Sequence, residues 1–411
     1  MTNLYSIFTE HPSVTTDSRN IPEGSIFFAL KGPKFDGNRY AADALNKGAS
    51  FAVVDDPNVA ADDRYILVSD TLQALQQLAS EHREALGTPI LAITGSNGKT
   101  TTKELISRVL QRQFNVVATK GNLNNHIGVP LTLLSFDKYT EFGIVEMGAN
   151  NPGEIANLCS IALPNFGIIT NIGRAHLEGF GSPEGVARAK GELYDFLSAH
   201  EGKTFVRTDD ETLSRMVSER DGLQTIGYST YDAEGFPNNL TGSFNLMNIA
   251  AAVAIGRYFG VNEEGIREAI AGYEPDNMRS QQVETGRNKV ILDCYNANPS
   301  SMSAAISNLN NEAAGLPVAV ILGDMGELGS YSDEEHANIL RLLDAENITE
   351  QYLVGPNFAE ASAKIPTRAN RQLFTDTAAL AEYLKSAPLS GHLILVKGSR
   401  AVGLEKIADL L

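Results

Sequence analysis

Tryptophan is missing from the 411 residues, cysteine occurs only as Cys159 and Cys294, and no run approaches the roughly 18 apolar residues of a membrane span. Each scarcity removes a class of protein. Two distant cysteines without a C-x-x-C pair give neither a disulfide framework nor a thiolate metal site, so both read as small buried hydrophobes. Positive charge is scarce as well: 33 Lys and Arg stand against 50 Asp and Glu, a formal net charge of -17. Such a surface repels phosphate backbones and anionic lipid, so neither nucleic acid nor an integral membrane contact is expected. The start Met1-Thr2-Asn3-Leu4-Tyr5 lacks a basic stretch followed by an apolar one, and a cytoplasmic protein is expected. The hydrophobic share of 43% excludes a disordered chain, and the length exceeds the roughly 250 to 300 residues at which single cores stop growing.

What is present falls into blocks of alternating strand and helix patterns. The first, residues 1-86, has apolar runs at Ile26 to Leu30, Phe51 to Val54 and Tyr65 to Val68. The second, residues 87-274, opens with the buried-strand run Ile90 to Ile93 and continues with Val116 to Ala118, Phe142 to Val145 and Phe166 to Ile169. Between the first two of these strands, Thr100 to Phe114 reads as an amphipathic helix. Leu105, Ile106, Val109 and Leu110 share one face, while Lys103, Glu104, Arg108 and Arg112 are expected to face water. The third block, residues 275-411, follows the polar break Glu274-Pro275-Asp276-Asn277 and carries strands at Val290 to Leu292, Val318 to Leu322, Tyr352 to Val354 and Leu393 to Val396. An α/β fold of three domains is expected, with parallel sheets and helical crossovers in the second and third: a central P-loop ATPase domain and a C-terminal Rossmann-like domain.

The chemistry concentrates at strand ends of the second block. Thr94-Gly95-Ser96-Asn97-Gly98-Lys99-Thr100 lies between a buried strand and a helix, where backbone N–H groups and a helix N-terminus cradle phosphates. Lys99 would neutralise β- and γ-oxygens of ATP, and the Thr100 hydroxyl would ligate Mg2+. The general pattern asks for Gly five residues before Gly98, where Ile93 stands, so the loop is a shorter variant. Glu146 ends a hydrophobic strand, the place for a second magnesium anchor, although a solvated strand-end carboxylate would look the same. In Asn171-Ile172-Gly173-Arg174-Ala175-His176, His176 could ligate a metal, hydrogen-bond a phosphate or cap a loop.

The loop Thr94 to Thr101, the segment Gly121-Asn122-Leu123-Asn124-Asn125-His126-Ile127-Gly128-Val129-Pro130, Glu146-Met147-Gly148-Ala149 and Asn171 to Glu178 together resemble the Mur ligases of peptidoglycan synthesis, over nearly the whole chain. Asp17-Ser18-Arg19, Phe27 to Gly32, Asp293-Cys294-Tyr295-Asn296-Ala297-Asn298-Pro299 and Gly323-Asp324-Met325-Gly326-Glu327-Leu328-Gly329 point within that family to the branch that adds D-Ala-D-Ala to UDP-N-acetylmuramoyl-tripeptide. The Asp-Asn-Pro-Arg motif expected in the diaminopimelate- or lysine-adding branch is absent, and folylpolyglutamate synthetase lacks a UDP-binding block like residues 1-86.

The resemblance implies that ATP phosphorylates the substrate carboxylate and that the amine of D-Ala-D-Ala displaces phosphate, in a monomeric cytoplasmic enzyme. It places Ser18, Arg19, Lys31 and Gly32 near the uridine diphosphate, and Asn122, Asn124 and Asn125 along the sugar and pyrophosphate path. Gly95, Ser96, Asn97, Gly98, Lys99, Thr100 and Thr101 would hold the triphosphate, with Asn248, Arg279 and Asp293 at adenine, phosphate and ribose. Asn296, Asn298, Lys397, Ser399 and Arg400 are candidates for the acceptor dipeptide. It also implies that Lys190, which borders the apolar stripe Val186, Ala189, Leu193 and Leu197 of a helix starting at Ser182-Pro183-Glu184, is carbamylated and serves magnesium together with Thr100, Glu146 and His176. In one place the chain departs from the family: only a dozen residues separate Tyr228 from Leu240, where relatives carry a longer run of strands. A rival enzyme function is another amide ligase of the family; a rival of another class is a nucleotide-binding regulator without chemistry.

Overall fold

In the computed structural model, residues 4–242, 244–275, 278–366 and 369–411 are described; Met1 to Asn3 and the Asp276-Asn277 part of the expected polar break lie outside them. The first sheet has four parallel strands, Val14–Thr15, Ile26–Phe28, Phe51–Val54 and Tyr65–Leu67, side by side in that order. Asp70 then caps the helix Thr71–Leu86, accepting from the Gln73 N–H, and Gly87 ends it in left-handed backbone. This helix buries Leu75, Leu78 and Ala79 and lies against the second unit, where Arg83 donates to the carbonyls of Ala162 and Leu163 and to Asn165.

The second sheet has six strands, all parallel, in the spatial order Gln224–Tyr228, Lys203–Arg207, Phe166–Ile169, Ile90–Thr94, Phe142–Glu146, Val116–Ala118. Its middle strands are buried on both faces, which explains their unbroken apolar runs. The helix Lys99–Leu110 buries Leu105, Ile106, Val109 and Leu110 as the periodicity requires, but Lys103 is buried too, against expectation. The amphipathic pattern describes one face, whereas the loop at Thr119 covers another: Lys103 Nζ donates to the Thr119 carbonyl at 2.8 Å. Ser182 caps the helix Pro183–Ala199, with Pro at its start, as expected. The short segment between Tyr228 and Leu240 forms a 3-10 turn, Thr230–Ala233, packed on the helix Asn245–Tyr258.

The third sheet orders its strands Gln281–Glu284, Lys289–Asp293, Leu393–Lys397, Val318–Gly323, Glu350–Val354, Asn370–Phe374. Five run parallel; Gln281–Glu284 pairs antiparallel at one edge, a strand the patterning did not reveal. The α/β class and the helical crossovers are as expected. One hydrophobic cluster reaches from Phe8 and Leu75 through Leu133 and Leu193 to Met302 and Leu340 and so joins the three units, while Cys159 and Cys294 are buried thiols.

Candidate active site

The C-terminal strand ends of the second and third sheets face each other across a cavity of about 590 Å³. Its floor is the loop after Ile90–Thr94. Gly95 (φ +140°) and Gly98 (φ +78°) adopt backbone that a side chain disfavours, and a Cβ would strike Thr170 at the first and Asn248 at the second. The next strand exit holds the loop: Asn97 donates from its N–H to Asn171 Oδ1 at 3.1 Å, its carbonyl accepts from Thr170 Oγ1 at 2.6 Å, and Gly173 N–H donates to Ser96 Oγ at 2.9 Å. Lys99 folds back over the loop, donating to the Gly95 carbonyl at 2.7 Å. Burial lowers its pKa, Glu146 opposes that, and Arg279 adds to it. Thr101 lines the same floor, and Asn248 accepts from Thr102 while donating to Asn245.

Glu146 is 2% exposed. Its Oε1 accepts from Thr100 Oγ1 at 3.3 Å and from Asn124 Nδ2 at 2.9 Å, and its N–H donates to Thr119 Oγ1 at 3.0 Å. Oε2 is buried with no hydrogen-bond donor; the nearest cation is Lys103 Nζ at 3.9 Å. A buried carboxylate oxygen left in this state is costly, and a hard divalent cation beside Thr100 would satisfy it, so the residues fit magnesium. His176, in left-handed backbone (φ +52°), lines the cavity and sets its ring against the Glu327 carboxylate of the third unit, a hydrogen-bonding contact that lowers the Glu327 pKa. Lys190 is 1% exposed and lies one layer behind the cavity wall, donating to the Ala149 carbonyl at 3.2 Å with the Phe180 ring 5.2 Å away. Burial pulls its pKa down to about 7; Lys99 adds to the fall, and Glu154 and Glu192 oppose it.

The third unit contributes Arg279, Asp293, Asn296 and Asn298 to the cavity. Lys397 also lines it, buried in an ion pair with Asp293, its neighbour in the parallel register. Asn298 is the cap of the helix Pro299–Glu312 and donates to Asn97 Oδ1 at 2.7 Å, a strut between units. Ser399 and Arg400 are not among the residues lining the cavity; Ser399 N–H donates to the Asp324 carbonyl, and Arg400 is exposed near Glu405. Asn125 lines the cavity with its side chain turned to cap Ile127 and Gly128, and Asn122 is exposed outside it. Ser18, Arg19, Lys31 and Gly32 lie in the first unit, apart from this cavity. There Lys31 pairs with Asp55 at 2.8 Å, and Arg19 holds the Asp17 pKa down to about 2.

Sequence reasoning assigns no role to several residues that matter here. Asn171 and Thr170 fix the loop, Lys103 approaches Glu146, and Arg174 meets Glu335 of the third unit at 2.5 Å while its N–H donates to Ser300 Oγ at 2.8 Å. A hint existed for Lys103, one turn after Lys99 on the same helix.

The chain matches three family descriptions in succession: "Mur ligase family, catalytic domain" over residues 12–83, "Mur ligase middle domain" over 93–236 and "Mur ligase, glutamate ligase domain" over 278–400. It is 35% identical over 428 residues to the UDP-N-acetylmuramoyl-tripeptide--D-alanyl-D-alanine ligase of Bacillus subtilis, covering 97% of this chain and 93% of that one. The ligase of the same name from Escherichia coli is 33% identical over 429 residues, with the same coverage. Among solved structures, MurF from Acinetobacter baumannii superposes with a TM-score of 0.85 at 31% identity, covering 97% of this chain and 93% of that one. MurF from Thermotoga maritima in complex with ADP does so at 0.84 and 27%, covering 100% and 98%.

Proposed function

The chain belongs to the Mur ligase family, and from that premise we propose that it joins D-Ala-D-Ala to UDP-N-acetylmuramoyl-tripeptide with conversion of ATP to ADP and phosphate. The observation that carries this is the corner of Lys99, Thr100 and Glu146 on the floor of the cavity, which Arg279 and Asp293 of the third unit also line. ATP would lie between the two sheets. Lys99 would leave its own loop carbonyls for the β- and γ-phosphates, and Arg279 would meet the same charge from the other side. In the first step the substrate carboxylate attacks the γ-phosphorus and ADP leaves; in the second the amine attacks the acyl phosphate carbon and phosphate leaves. Both steps build negative charge where Lys99 stands.

Magnesium would be held by Thr100 and Glu146, with His176 and a carbamylated Lys190 contributing, and would supply Lewis-acid stabilisation of phosphoryl oxygens. The support for Lys190 is its burial beside the Glu146 strand exit together with its lowered pKa: a neutral amine reacts with CO2, whereas an ammonium does not. Carbamylation replaces a cation that would repel the metal by an anionic oxygen ligand. His176 would have to share its ring with Glu327, or release it, to take part. Ser18, Arg19, Lys31 and Gly32 are assigned to the uridine end, Asn122, Asn124 and Asn125 to the sugar side, and Asn296, Asn298, Lys397, Ser399 and Arg400 to the acceptor. The domains are taken as residues 1-86, 87-274 and 275-411, in a cytoplasmic monomer.

Mass spectrometry of the product from UDP-linked tripeptide, ATP and D-Ala-D-Ala tests this reading. A pentapeptide product formed only with the dipeptide is expected. ADP release with single amino acids instead would assign the chain to another branch, and no ADP with every substrate present would make it a regulator.

A further inference from the structure

The linker into the third unit is strained on both sides of Arg279. Met278 has φ +57° and Ser280 φ +52°, left-handed backbone that residues with a Cβ avoid unless their surroundings hold them there. The surroundings do. Met278 N–H donates to Gln281 Oε1 at 3.2 Å, and the Met278 carbonyl accepts from Tyr295 N–H at 3.4 Å. Ser280 N–H donates to Asp293 Oδ1 at 3.3 Å, and the other Asp293 oxygen is held by Lys397. Arg279, fixed at the apex of this turn, lays its guanidinium on the Tyr295 ring, 3.8 Å from the centroid. That is face contact between two planar groups in a cavity wall also lined by Lys99, and the Arg279 charge is felt at Lys99.

We propose that Tyr295 is the positioning residue of Arg279: its ring face, not its hydroxyl, fixes the guanidinium toward the nucleotide phosphates. The proposal rests on the phosphate role given to Arg279 above. A free arginine would lose several rotors on meeting a phosphate, and the ring with its strained turn removes much of that loss beforehand. A stacked cation over an aromatic face also keeps its N–H edge free, so the same group is both held and able to donate.

The test is calorimetric binding of a non-hydrolysable ATP analogue to the full chain at fixed magnesium and salt. Tyr295→Phe should bind within about twofold of the parent, and Tyr295→Leu about tenfold more weakly. Arg279→Ala should weaken binding at least as much, and Tyr295→Leu added to it should weaken binding no further, because the guanidinium that the ring positions would then be gone; Arg400, the other cation near the ring, is farther off at 5.8 Å. Arg279→Lys, which alters no fully buried residue, keeps the charge and loses the planar face; it should bind several-fold more weakly, so the proposal stays testable even if Tyr295→Leu folds poorly. Parent-like binding by Tyr295→Leu or Arg279→Lys overturns the proposal, as does an additive double variant or a Phe variant as weak as the Leu one. Parent-like binding by Arg279→Ala overturns the phosphate role and the proposal together, whereas weak Arg279→Ala with unaffected Tyr295→Leu overturns the proposal alone.

Discussion

The two walls of the cavity are built on opposite principles. On the central wall, ionisable groups are buried without full satisfaction: Glu146 has an oxygen lacking a donor, and Lys190 is enclosed with a single carbonyl for company and a pKa near 7. Toward the third unit the charged groups stand beside partners, Asp293 with Lys397 and Arg279 against Tyr295 within it, and Glu327 with His176 and Glu335 with Arg174 across to the central unit, although Glu335 Oε1 is buried without a hydrogen bond. The central wall therefore offers an open carboxylate oxygen and a buried amine to ligands, whereas the charges of the third unit lie beside charges or a ring of the protein itself. Burial explains the asymmetry: strand ends inside an all-parallel sheet cannot move to find partners, while a docked unit brings its partners along.

If this contrast is right, the largest loss should come from the central wall. Lys99→Ala should lower turnover by about a thousandfold and leave the melting temperature nearly unchanged, since its head contacts only loop carbonyls. Turnover near the parent's would remove the phosphate-loop assignment. Lys190→Ala should lose about a hundredfold, with formate or acetate restoring part of the activity by occupying the vacated oxygen position. Full activity without added carboxylate would sink the carbamate.

Lys190 also predicts a stability effect of the opposite sign. Its pKa is about 7 when folded against an ordinary 10.5, so as pH falls from 10.5 to 7 the unfolded chain gains a proton that the folded chain refuses, and stability is lost across that window. Below about pH 7 the penalty is complete. Lys190→Met, assayed without metal or bicarbonate, should therefore be more stable than the parent at pH 7 by on the order of 1 to 3 kcal/mol, while inactive. Equal denaturant midpoints for the two at pH 7 would show that the site does not penalise the cation.

Smaller effects should come from the contacts toward the third unit. Arg174→Met leaves Glu335 buried and uncompensated only while the units are docked, so catalytic efficiency should fall about fivefold, discounted because Arg174 is half-exposed. Small-angle scattering with ATP analogue and UDP-substrate should then show a more open particle than the parent, and swapping the two charges should restore both readings. Identical scattering for parent and variant would remove any role of the Arg174–Glu335 pair in holding the units together. Smallest of all, Arg19→Ala should raise KM for the UDP-substrate only about twofold, because that guanidinium is exposed and already tied to Asp17. A change in the KM for ATP instead would place Arg19 elsewhere.

The legible parts of this molecule were those whose physics is local. A buried strand, a glycine turn and a capped helix sit next to one another in the chain, so Lys99, Thr100 and Glu146 could be placed from spacing. Residues whose partners come from other strands or units could not. The pair of Lys397 with Asp293 is illegible because nothing nearby in the chain announces that the two strands lie side by side in register. That Asn298 caps a helix and ties it to Asn97 depends on a partner about two hundred residues away, which no local pattern shows. Lys103 was turned toward water by a helical pattern that has no knowledge of the Thr119 loop. The strands Lys203–Arg207 and Gln224–Tyr228 went unread because both mix polar with apolar residues, the second at a partly exposed sheet edge.

The helix Thr71–Leu86 has a further consequence, for how the chain could be cut. By sequence it belongs to the first block, yet Arg83 answers the carbonyls of Ala162 and Leu163, and His82 is bonded to the Phe136 carbonyl. Arg83 also grips Asn165, whose same oxygen receives the N–H of Ile90, the first residue of the strand that ends at the phosphate loop. Excising the first block at Leu86 would therefore do more than remove a substrate-binding module. It would strip a buried buttress, leave backbone acceptors open and slacken the root of the strand on which Lys99 is mounted, so that the piece left behind would be crippled in nucleotide binding as well.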